Sequence, residues 1–223
     1  MSESPAAWQL FERDATAYEE WYATPRGRRA DLAERALLAH LLVPFAMAQS
    51  ALEVGCGTGH FTRWLAARLP HVVGLDRTPA MLAEARRRHP QLPLVQGDAH
   101  LLPIRGRAVD LGVFVLTLEF VDDPAVVLAE AVRVSRRGVL ALALNRRSLG
   151  GLSRRWGPDA HRPLLGRARD FTLPCLRALA SAAAGARLRA FRGASALFPG
   201  GLAGVHTRIP LGGVIGVAVE LEP

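Results

Sequence analysis

An acidic residue and three alternating glycines follow a short apolar run, and this arrangement constrains the fold more than any other stretch of the chain. The run Ala51-Leu52-Glu53-Val54 leads directly into Gly55-Cys56-Gly57-Thr58-Gly59. Glycines tolerate the positive φ angles of a tight strand-to-helix turn, and they let a ligand approach the backbone closely. The sequence therefore predicts a nucleoside-binding loop at the carboxyl end of a β-strand.

The spacing of the glycines distinguishes this loop from a dinucleotide-binding loop. A G-x-G-x-x-G fingerprint would place its third glycine where this chain has His60. A pyrophosphate favours the positive field of a helix N-terminus, whereas Glu53 places a carboxylate beside the turn. S-adenosylmethionine, with its sulfonium and ammonium groups, therefore fits better than NAD. The alternative is a glycine-rich turn that merely joins a strand to a helix.

Further acidic residues follow at intervals that complete a family pattern. A second apolar segment, 71–75, ends in Asp76, and a third segment leads to Asp98 and Ala99. Together with the glycine loop, this series resembles the class I S-adenosylmethionine-dependent methyltransferases. It is most similar to the small, methyltransferase-11-like enzymes grouped with quinone biosynthesis, and the similarity is strongest over residues 50–124. It implies a shared scaffold and does not indicate a quinone substrate.

The resemblance implies a set of cofactor-binding residues. In the family, the acid at the position of Asp76 accepts hydrogen bonds from both ribose hydroxyls, and the pair at Asp98 and Ala99 holds the adenine. The glycine loop seats the methionine and ribose part, and Glu53 orients it directly or through water. Capping of the next helix is the alternative role of Asp76, and a turn is the alternative for Asp98. The predicted cofactor-binding set is Glu53, Gly55, Gly57, Gly59, Asp76, Asp98 and Ala99.

The sequence defines the acceptor side of the site less well. Glu119 follows the predicted fourth strand, and we predict it as the general base if the acceptor must lose a proton, with Tyr22, His60 and His100 as weaker candidates. Electrostatic support of the sulfonium and capping of the next segment are alternatives for Glu119. The aromatic residues before position 49 resemble the family's N-terminal lid, which makes Tyr22 and Arg26 the predicted lid and substrate residues. Packing in the core is the alternative for Tyr22.

The order of the segments predicts an α/β fold. Strand-like apolar runs alternate with helical patterns, and with the resemblance this implies a Rossmann-like, doubly wound, seven-stranded sheet. The sheet should be mostly parallel, with an antiparallel last strand and a helical N-terminal cap. We divide one methyltransferase domain, 1–223, into a cap at 1–48, a cofactor-binding core at 49–145 and a substrate-side insertion with C-terminal strands at 146–223.

Two local predictions concern a helix face and a turn. In the helical run from Arg28 to Leu42, the pattern places Leu32 and Leu37 toward the sheet and Glu34 outside. The segment Arg136-Arg137-Gly138 stands where the resembling enzymes have a Pro-Gly-Gly turn, and we expect a turn there before the fifth strand. The predicted helix face would leave the carboxylate of Glu34 in solvent.

The basic charge of the chain raises the question of nucleic acid as a partner. The formal net charge is +8, and all 28 basic residues are arginine. Uniform use of arginine, with abundant alanine, glycine and leucine, indicates the codon bias of a GC-rich genome more than a phosphate-binding face, and few aromatic residues are interleaved for base stacking. We therefore predict a small-molecule substrate. An RNA or protein acceptor and a non-catalytic cofactor-binding sensor or partner protein are the alternatives.

Cysteine and histidine usage gives no metal-ligand spacing. The two cysteines, Cys56 and Cys175, and seven scattered histidines predict neither a disulfide framework nor a metal site. The first residues lack a basic and apolar leader pattern, and the apolar stretch Ile209–Val219 is too short and glycine-rich to span a bilayer. These features predict a cytoplasmic protein without a membrane span. The sequence leaves the acceptor atom and the oligomeric state undetermined.

Overall fold

Helices cover both faces of a seven-stranded sheet, in a computed structural model that describes residues 7–148, 168–198 and 205–222. The helices are α1 (Ala7–Ala23), α2 (Pro25–Leu42), α3 (His60–Ala66), α4 (Pro79–Arg88), α5 (Pro124–Val134) and α6 (Leu173–Ala184). The strands are β1 (Ser50–Val54), β2 (His71–Asp76), β3 (Leu94–Gln96), β4 (Val109–Val115), β5 (Ser135–Leu144), β6 (Leu188–Ala196) and β7 (Val214–Leu221). Short 3₁₀ turns follow α2 and α6.

The strand order across the sheet is β3-β2-β1-β4-β5-β7-β6. The first five strands of the chain pair in parallel, so that Leu52 of β1 lies between Val73 of β2 and Gly112 of β4. β7 runs antiparallel to both of its neighbours, β5 and β6. The structure therefore confirms the predicted doubly wound sheet, mostly parallel with an antiparallel last strand. The central strands are apolar on both sides because helices cover both faces.

Two apolar cores fix the helices on the sheet. On one face, α2 and α3 bury Leu37, Leu41 and Trp64 against the strands. On the other face, α5 and α6 bury Leu128 and Leu176. Burial of each such side chain stabilises the fold by about 1.5–3 kcal/mol. The first helix, α1, packs against α2 and α4 and so reaches across the carboxyl end of the sheet.

The buried side of α2 agrees with the prediction at Leu37, but the prediction was wrong for Leu32 and Glu34. Leu32 is 57% exposed, whereas Glu34 is only 1% exposed. The buried stripe includes Ala33, Leu37 and Leu41, four residues apart, because this row presents its small and branched apolar side chains to the sheet. Glu34 follows Ala33 on the buried part of α2, and the fold therefore buries a carboxyl group of this helix, near the carboxylate of Glu119.

The predicted turn at Arg136-Arg137-Gly138 was also wrong, because these residues belong to β5. The chain leaves α5 at Ser135, which adopts an extended conformation and begins the strand. Nε of Arg136 lies 3.0 Å from Oδ1 of Asp110, and Nε of Arg137 lies 3.5 Å from the same oxygen. These ion pairs hold the segment alongside β4, so pairing of the two strands starts earlier than the sequence pattern indicated.

The C-terminal part of the chain completes the sheet. β7 inserts between β5 and β6, as the resemblance implied for the last strand. Most of the predicted substrate-side insertion falls at 149–167, outside the described residues. The division into cap, core and substrate-side part therefore stays a prediction. Among the helices that the structure describes, none combines the length and the apolar character that a membrane crossing requires.

Candidate active site

A cleft of about 860 Å³, including the part open to solvent, lies where the strand order reverses between β1 and β4. Open α/β sheets bind ligands at this switch point, beyond the carboxyl ends of the strands. Gly55 and Gly57 enter the cleft after β1, Asp76 ends β2, and Asp98 and Ala99 follow β3. Five of the seven predicted cofactor-binding residues therefore meet in one cleft.

Two glycines of the loop adopt positive φ angles that favour glycine. Gly55 has φ +74° and Gly57 has φ +53°. A Cβ atom on Gly55 would lie 2.2 Å from Cγ2 of Thr117, so a side chain there would collide with the segment after β4. On Gly57, a Cβ atom would meet Cε1 of Tyr18 at 3.9 Å and Sδ of Met81 at 4.0 Å. The loop backbone at Gly57 is therefore open to a ligand.

Asp76 organises the glycine loop and also lines the cleft. Its Oδ2 accepts a hydrogen bond from the N–H of Gly57 at 2.8 Å, and its Oδ1 accepts one from the N–H of Thr78 at 2.8 Å. Burial raises the pKa of Asp76, although the hydrogen bonds from Thr78 and Gly57 oppose this rise. A carboxylate offers about four lone-pair positions, so both oxygens can accept further hydrogen bonds from a diol.

Asp98 and His100 form a small network inside the cleft. Oδ1 of Asp98 accepts a hydrogen bond from the backbone N–H of His100 at 2.9 Å and another from Nδ1 of the His100 ring at 2.8 Å. Nε2 of His100 accepts a hydrogen bond from the backbone N–H of Asp123 at 3.2 Å. These partners assign His100 as the neutral tautomer with its proton on Nδ1. Partial burial raises the pKa of Asp98, but the hydrogen bonds from His100 and the guanidinium of Arg77 lower it on balance. Asp98 is therefore an anionic acceptor.

Two of the predicted cofactor-binding residues lie behind the loop and do not line the cleft. Glu53 is buried and accepts a hydrogen bond from Oγ1 of Thr62 on α3. Burial raises the pKa of Glu53 to about 8, against the hydrogen bond from Thr62, and the carboxylate of Asp76 adds to the rise. Gly59, with φ +78°, is the N-cap of α3. Contact of Glu53 and Gly59 with the cofactor stays a prediction.

The cap lines the cleft through aromatic residues of α1. Tyr18 is one of the aromatic residues that the resemblance assigned to the lid, whereas Trp8 and Phe11 were not named for this role. Trp8, Phe11 and Tyr18 of α1 face the cleft, together with Phe120 after β4. The ring of Phe11 packs edge-on against Phe120, with centroids 4.9 Å apart, and against Tyr18 at 6.0 Å. The spacing of 3 and 7 residues along α1 puts these rings on one face, and this periodicity could have identified them.

The predicted lid residues, Tyr22 and Arg26, do not line the described part of the cleft. Tyr22 is buried, and its ring stacks on the imidazole of His60 with centroids 4.0 Å apart and planes 10° from parallel. Arg26 is exposed in the first turn of α2, which Thr24 caps by accepting the N–H of Gly27 at 3.0 Å. The roles of Tyr22 and Arg26 toward a substrate stay predictions.

The predicted base, Glu119, also lies outside the set of lining residues. It is 2% exposed, and its Oε1 accepts the backbone N–H of Leu144 on β5. Its backbone carbonyl accepts the N–H of Arg169 at 2.9 Å. These contacts join the segment after β4 to the end of β5 and to the segment that precedes α6. The role of Glu119 as a base stays a prediction.

Leu116 is a lining residue that no sequence pattern indicates. It has φ +53°, an uncommon conformation for a residue with a Cβ atom. Its N–H donates to the carbonyl of Leu142 at 3.1 Å, and the adjacent Thr117 donates its hydroxyl to the carbonyl of Val54 at 3.1 Å. Pairing with both neighbouring strands holds Leu116 in this strained conformation, which is typical of residues at ligand sites.

Burial of Glu34 predicts that stability depends on pH. Burial, with the nearby carboxylates of Asp31 and Glu119, raises the pKa of Glu34 from 4.5 to about 8, against the charge of Arg35. The unfolded chain loses this proton near its ordinary pKa and the folded chain keeps it, so the free energy of unfolding falls between these values as pH rises, by at most about 1.4 kcal/mol per pH unit. We expect Glu34→Gln to flatten this decline and to be more stable than the wild type at pH 8, as measured by urea unfolding.

Glu20→Gln is the control for this measurement, because Glu20 is exposed on α1 and its loss should leave the slope unchanged. The raised pKa of Glu53 also lowers the free energy of unfolding as pH rises. Glu34→Gln should therefore keep part of the pH dependence of the wild type. Wild-type pH dependence in Glu34→Gln would contradict the assignment of a protonated, buried carboxyl group to this position.

Comparison with known proteins identifies relatives of the part of the chain that forms the cleft. Residues 52–143 match a family model described as a methyltransferase domain. A curated malonyl-[acyl-carrier protein] O-methyltransferase from Pectobacterium atrosepticum is 35% identical over 152 residues, which are 66% of this chain and 56% of that protein. The chain spans about half the length of the curated relatives that it matches.

Two solved structures align with nearly the full length of this chain. A structure from Thermotoga maritima, described as an S-adenosylmethionine-dependent methyltransferase and possible histamine N-methyltransferase, aligns with a TM-score of 0.79 and 25% identity, over 96% of this chain and 99% of that one. The magnesium protoporphyrin IX methyltransferase of Synechocystis, with bound S-adenosylhomocysteine, aligns with a TM-score of 0.66 and 11% identity over the same shares, 96% and 99%. At that identity, the second likeness concerns the fold alone.

Proposed function

Because the chain is a class I S-adenosylmethionine-dependent methyltransferase by its domain match and its fold, we propose that it methylates a small-molecule acceptor. The observation that carries this proposal is the cleft, in which Trp8, Phe11 and Tyr18 of the cap face the glycine loop. A concave site with aromatic walls suits a small ligand and excludes water better than an open groove for a polymer would. A non-catalytic cofactor-binding protein and an RNA or protein methyltransferase are the alternatives.

The residues of the cleft fit S-adenosylmethionine as the cofactor. When bound, it supplies an electrophilic methyl group on a sulfonium whose sulfur leaves without charge. Asp76 would hold the ribose hydroxyls, since both of its oxygens have acceptor positions beyond those that the loop uses. Asp98 would accept from the adenine amino group, and Ala99 would pack against the ring. Gly55 and Gly57 line the cleft and would admit the methionine and ribose part, and at Gly57 the Cβ position is open.

The contribution of the protein to methyl transfer is mainly positioning. An acceptor that is held in line with the methyl group needs little covalent assistance, so orientation in a water-poor cleft supplies most of the acceleration. Trp8, Phe11 and Tyr18 present ring surface on the cap side, and Leu116 and Phe120 do so on the sheet side. These side chains would exclude water and restrict the approach of the acceptor.

The titratable side chains that line the described part of the cleft favour an acceptor that is already nucleophilic. His100 already uses both ring nitrogens, with Asp98 and the backbone of Asp123 as partners. Burial raises the pKa of Tyr18, and Asp122 is exposed to solvent. A carboxylate or an unprotonated amine would therefore suit this cleft better than an alcohol. The Pectobacterium relative is named for O-methylation of a malonyl group, and we place a carboxylate first.

Labelled methyl donor and a fractionated cell extract test the proposal. We expect label to enter the small-molecule fraction and mass spectrometry to identify a methyl ester or methylamine. Label in a ribonuclease-sensitive or protease-sensitive fraction would favour the polymer alternatives, as would RNA binding with a steep salt dependence. If the product were a methyl ether, the acceptor would be an alcohol that must lose a proton, and Glu119 would again be a candidate for the base. Binding of S-adenosylhomocysteine without any turnover would favour the sensor, and absence of binding would contradict the proposal.

A further inference from the structure

A buried polar cluster joins the cap helix α1 to the glycine loop. Oε2 of Glu19 accepts a hydrogen bond from Oγ1 of Thr58 at 2.6 Å, and its Oε1 lies 3.5 Å from Nδ1 of His60. Thr58 is a residue of the glycine loop itself, and His60 begins α3. Thr58 is 0% exposed and His60 is 8% exposed, so both polar groups depend on protein partners.

The second cap helix holds the other side of the same imidazole. Nε2 of His60 lies 2.7 Å from Oδ1 of Asp31 on α2, and Nε of Arg35 donates to that oxygen at 2.6 Å. The ring of Tyr22 on α1 stacks on the imidazole. His60 therefore bridges carboxylates from the two cap helices, and Glu19 is the member of this cluster that also binds the glycine loop.

The same helix that provides Glu19 also forms one wall of the cleft. Tyr18, the preceding residue, borders the open side of Gly57, where a Cβ atom would lie 3.9 Å from its ring. Phe11 and Trp8 continue the wall toward the start of α1. If α1 moved away, the cleft would lose its aromatic wall, Thr58 would lose its carboxylate partner, and His60 would lose one of its two carboxylate partners. The position of α1 and the hydrogen bonding of the glycine loop are thus linked through one side chain.

We propose that Glu19 is a positioning residue that latches α1 over the cleft through Thr58 and His60, and so sets how long the cofactor stays bound. The inference rests on the proposed function for the identity of the cofactor. Partial burial raises the pKa of Glu19, but hydrogen bonds from His60 and Thr58 lower it on balance. The carboxylate is therefore charged at neutral pH, where charge-assisted hydrogen bonds are stronger than neutral ones.

Glu19→Ala tests the latch, with Glu20→Ala as its matched control on the exposed side of the same helix. Alanine favours a helix, so neither change weakens α1 through its intrinsic propensity. We expect Glu19→Ala to increase the dissociation rate of S-adenosylhomocysteine about tenfold in stopped-flow measurements. Amide hydrogen exchange in α1 should accelerate by a similar factor, and Glu20→Ala should match the wild type in both measurements. Equal behaviour of the two variants would overturn the proposal.

A second variant separates the latch from a general loss of structure. Thr58→Val removes the hydroxyl that binds Glu19 and keeps the shape of the side chain, so it should also accelerate dissociation, and the double variant should add little to Glu19→Ala. Additive effects of the two changes would overturn the proposal. KM for the methyl donor should rise in Glu19→Ala with little change in kcat, a split that a merely structural defect would not produce.

The free protein distinguishes failure of the latch from failure of the proposed function. If the wild type bound no S-adenosylhomocysteine, the proposed function would fail. Hydrogen exchange in α1 without ligand would still compare Glu19→Ala with Glu20→Ala, and faster exchange in the first alone would support the attachment of the cap through Glu19. If Glu19→Ala did not fold, Thr58→Val would provide the same comparison with the wild type.

Discussion

Replacement of Gly57 by arginine is expected to abolish binding of S-adenosylhomocysteine. The Cβ position of Gly57 opens into the cleft between Tyr18 and Met81, with nearest atoms at 3.9 and 4.0 Å. A long side chain at this point would occupy the space that we assign to the ribose and methionine part of the cofactor. Calorimetric titration should show an affinity lower by a factor of at least about 100, or about 2.7 kcal/mol, and methyl transfer should cease.

Gly185→Arg is the matched control for this substitution. Gly185 follows α6 with φ +52°, close to the +53° of Gly57, and a Cβ atom there would meet no heavy atom within 4 Å. Both variants place a side chain at a positive φ angle, and the ψ angle of −132° at Gly185 lies outside the left-handed region that other residues adopt. Gly185 is not among the lining residues, so Gly185→Arg controls for backbone strain without filling the cleft. Gly57→Ala should retain part of the affinity, since its methyl group makes only ordinary contacts. Full binding by a folded Gly57→Arg protein would mean that the loop does not seat the cofactor.

The cofactor side of the cleft could be predicted because its residues occupy fixed places along the sheet. Asp76 is the last residue of β2, and Gly55 and Asp98 follow the ends of β1 and β3. The ends of parallel strands meet at one edge wherever the strands are paired. The apolar runs before these residues define the strands by composition alone. The order of strands and acids, together with the family resemblance, therefore placed these residues at one edge of the sheet, and their contact with a cofactor stays a prediction.

The cap side could not be predicted in the same way, because it depends on how helices rotate against the sheet. Tyr18 and Tyr22 lie one turn apart on α1, so helical periodicity alone does not say which ring reaches the cleft and which packs on His60. Glu34 is buried although no hydrophobic pattern predicts a buried carboxyl group. Its position follows from the apolar stripe of α2 and from packing against distant strands.

The beginning of β5 could not be predicted from the local sequence, because it depends on contacts with distant residues. Arg136 and Arg137 are polar residues after a helix, a local pattern that favours a turn. The carboxylate of Asp110, some distance earlier in the chain, binds both guanidinium groups and also accepts the backbone N–H of Gln49 at 2.7 Å. Ion pairs between distant residues thus extended the strand beyond its apolar segment, and sequence periodicity contains no record of such pairs.

Asp76→Asn is expected to weaken binding of S-adenosylhomocysteine about 100-fold. One oxygen of the carboxylate accepts the N–H of Gly57 and the other accepts the N–H of Thr78. Asparagine has one acceptor oxygen, so its amide group would face one of these donors with another donor. The variant would also lose one of the two acceptors that we assign to the ribose hydroxyls. Calorimetric titration would measure both consequences as one loss of affinity.

Asp122→Asn is the control, because Asp122 also lines the cleft but is exposed, and its loss removes the same charge without disturbing the loop. We expect a change of no more than about threefold. Since burial raises the pKa of Asp76, affinity in the wild type should fall on acidification at a higher pH than an ordinary aspartate would produce, because the protonated carboxyl group loses an acceptor. Asp76→Asn should lack this dependence, and equal affinities in the two variants would contradict the role of Asp76.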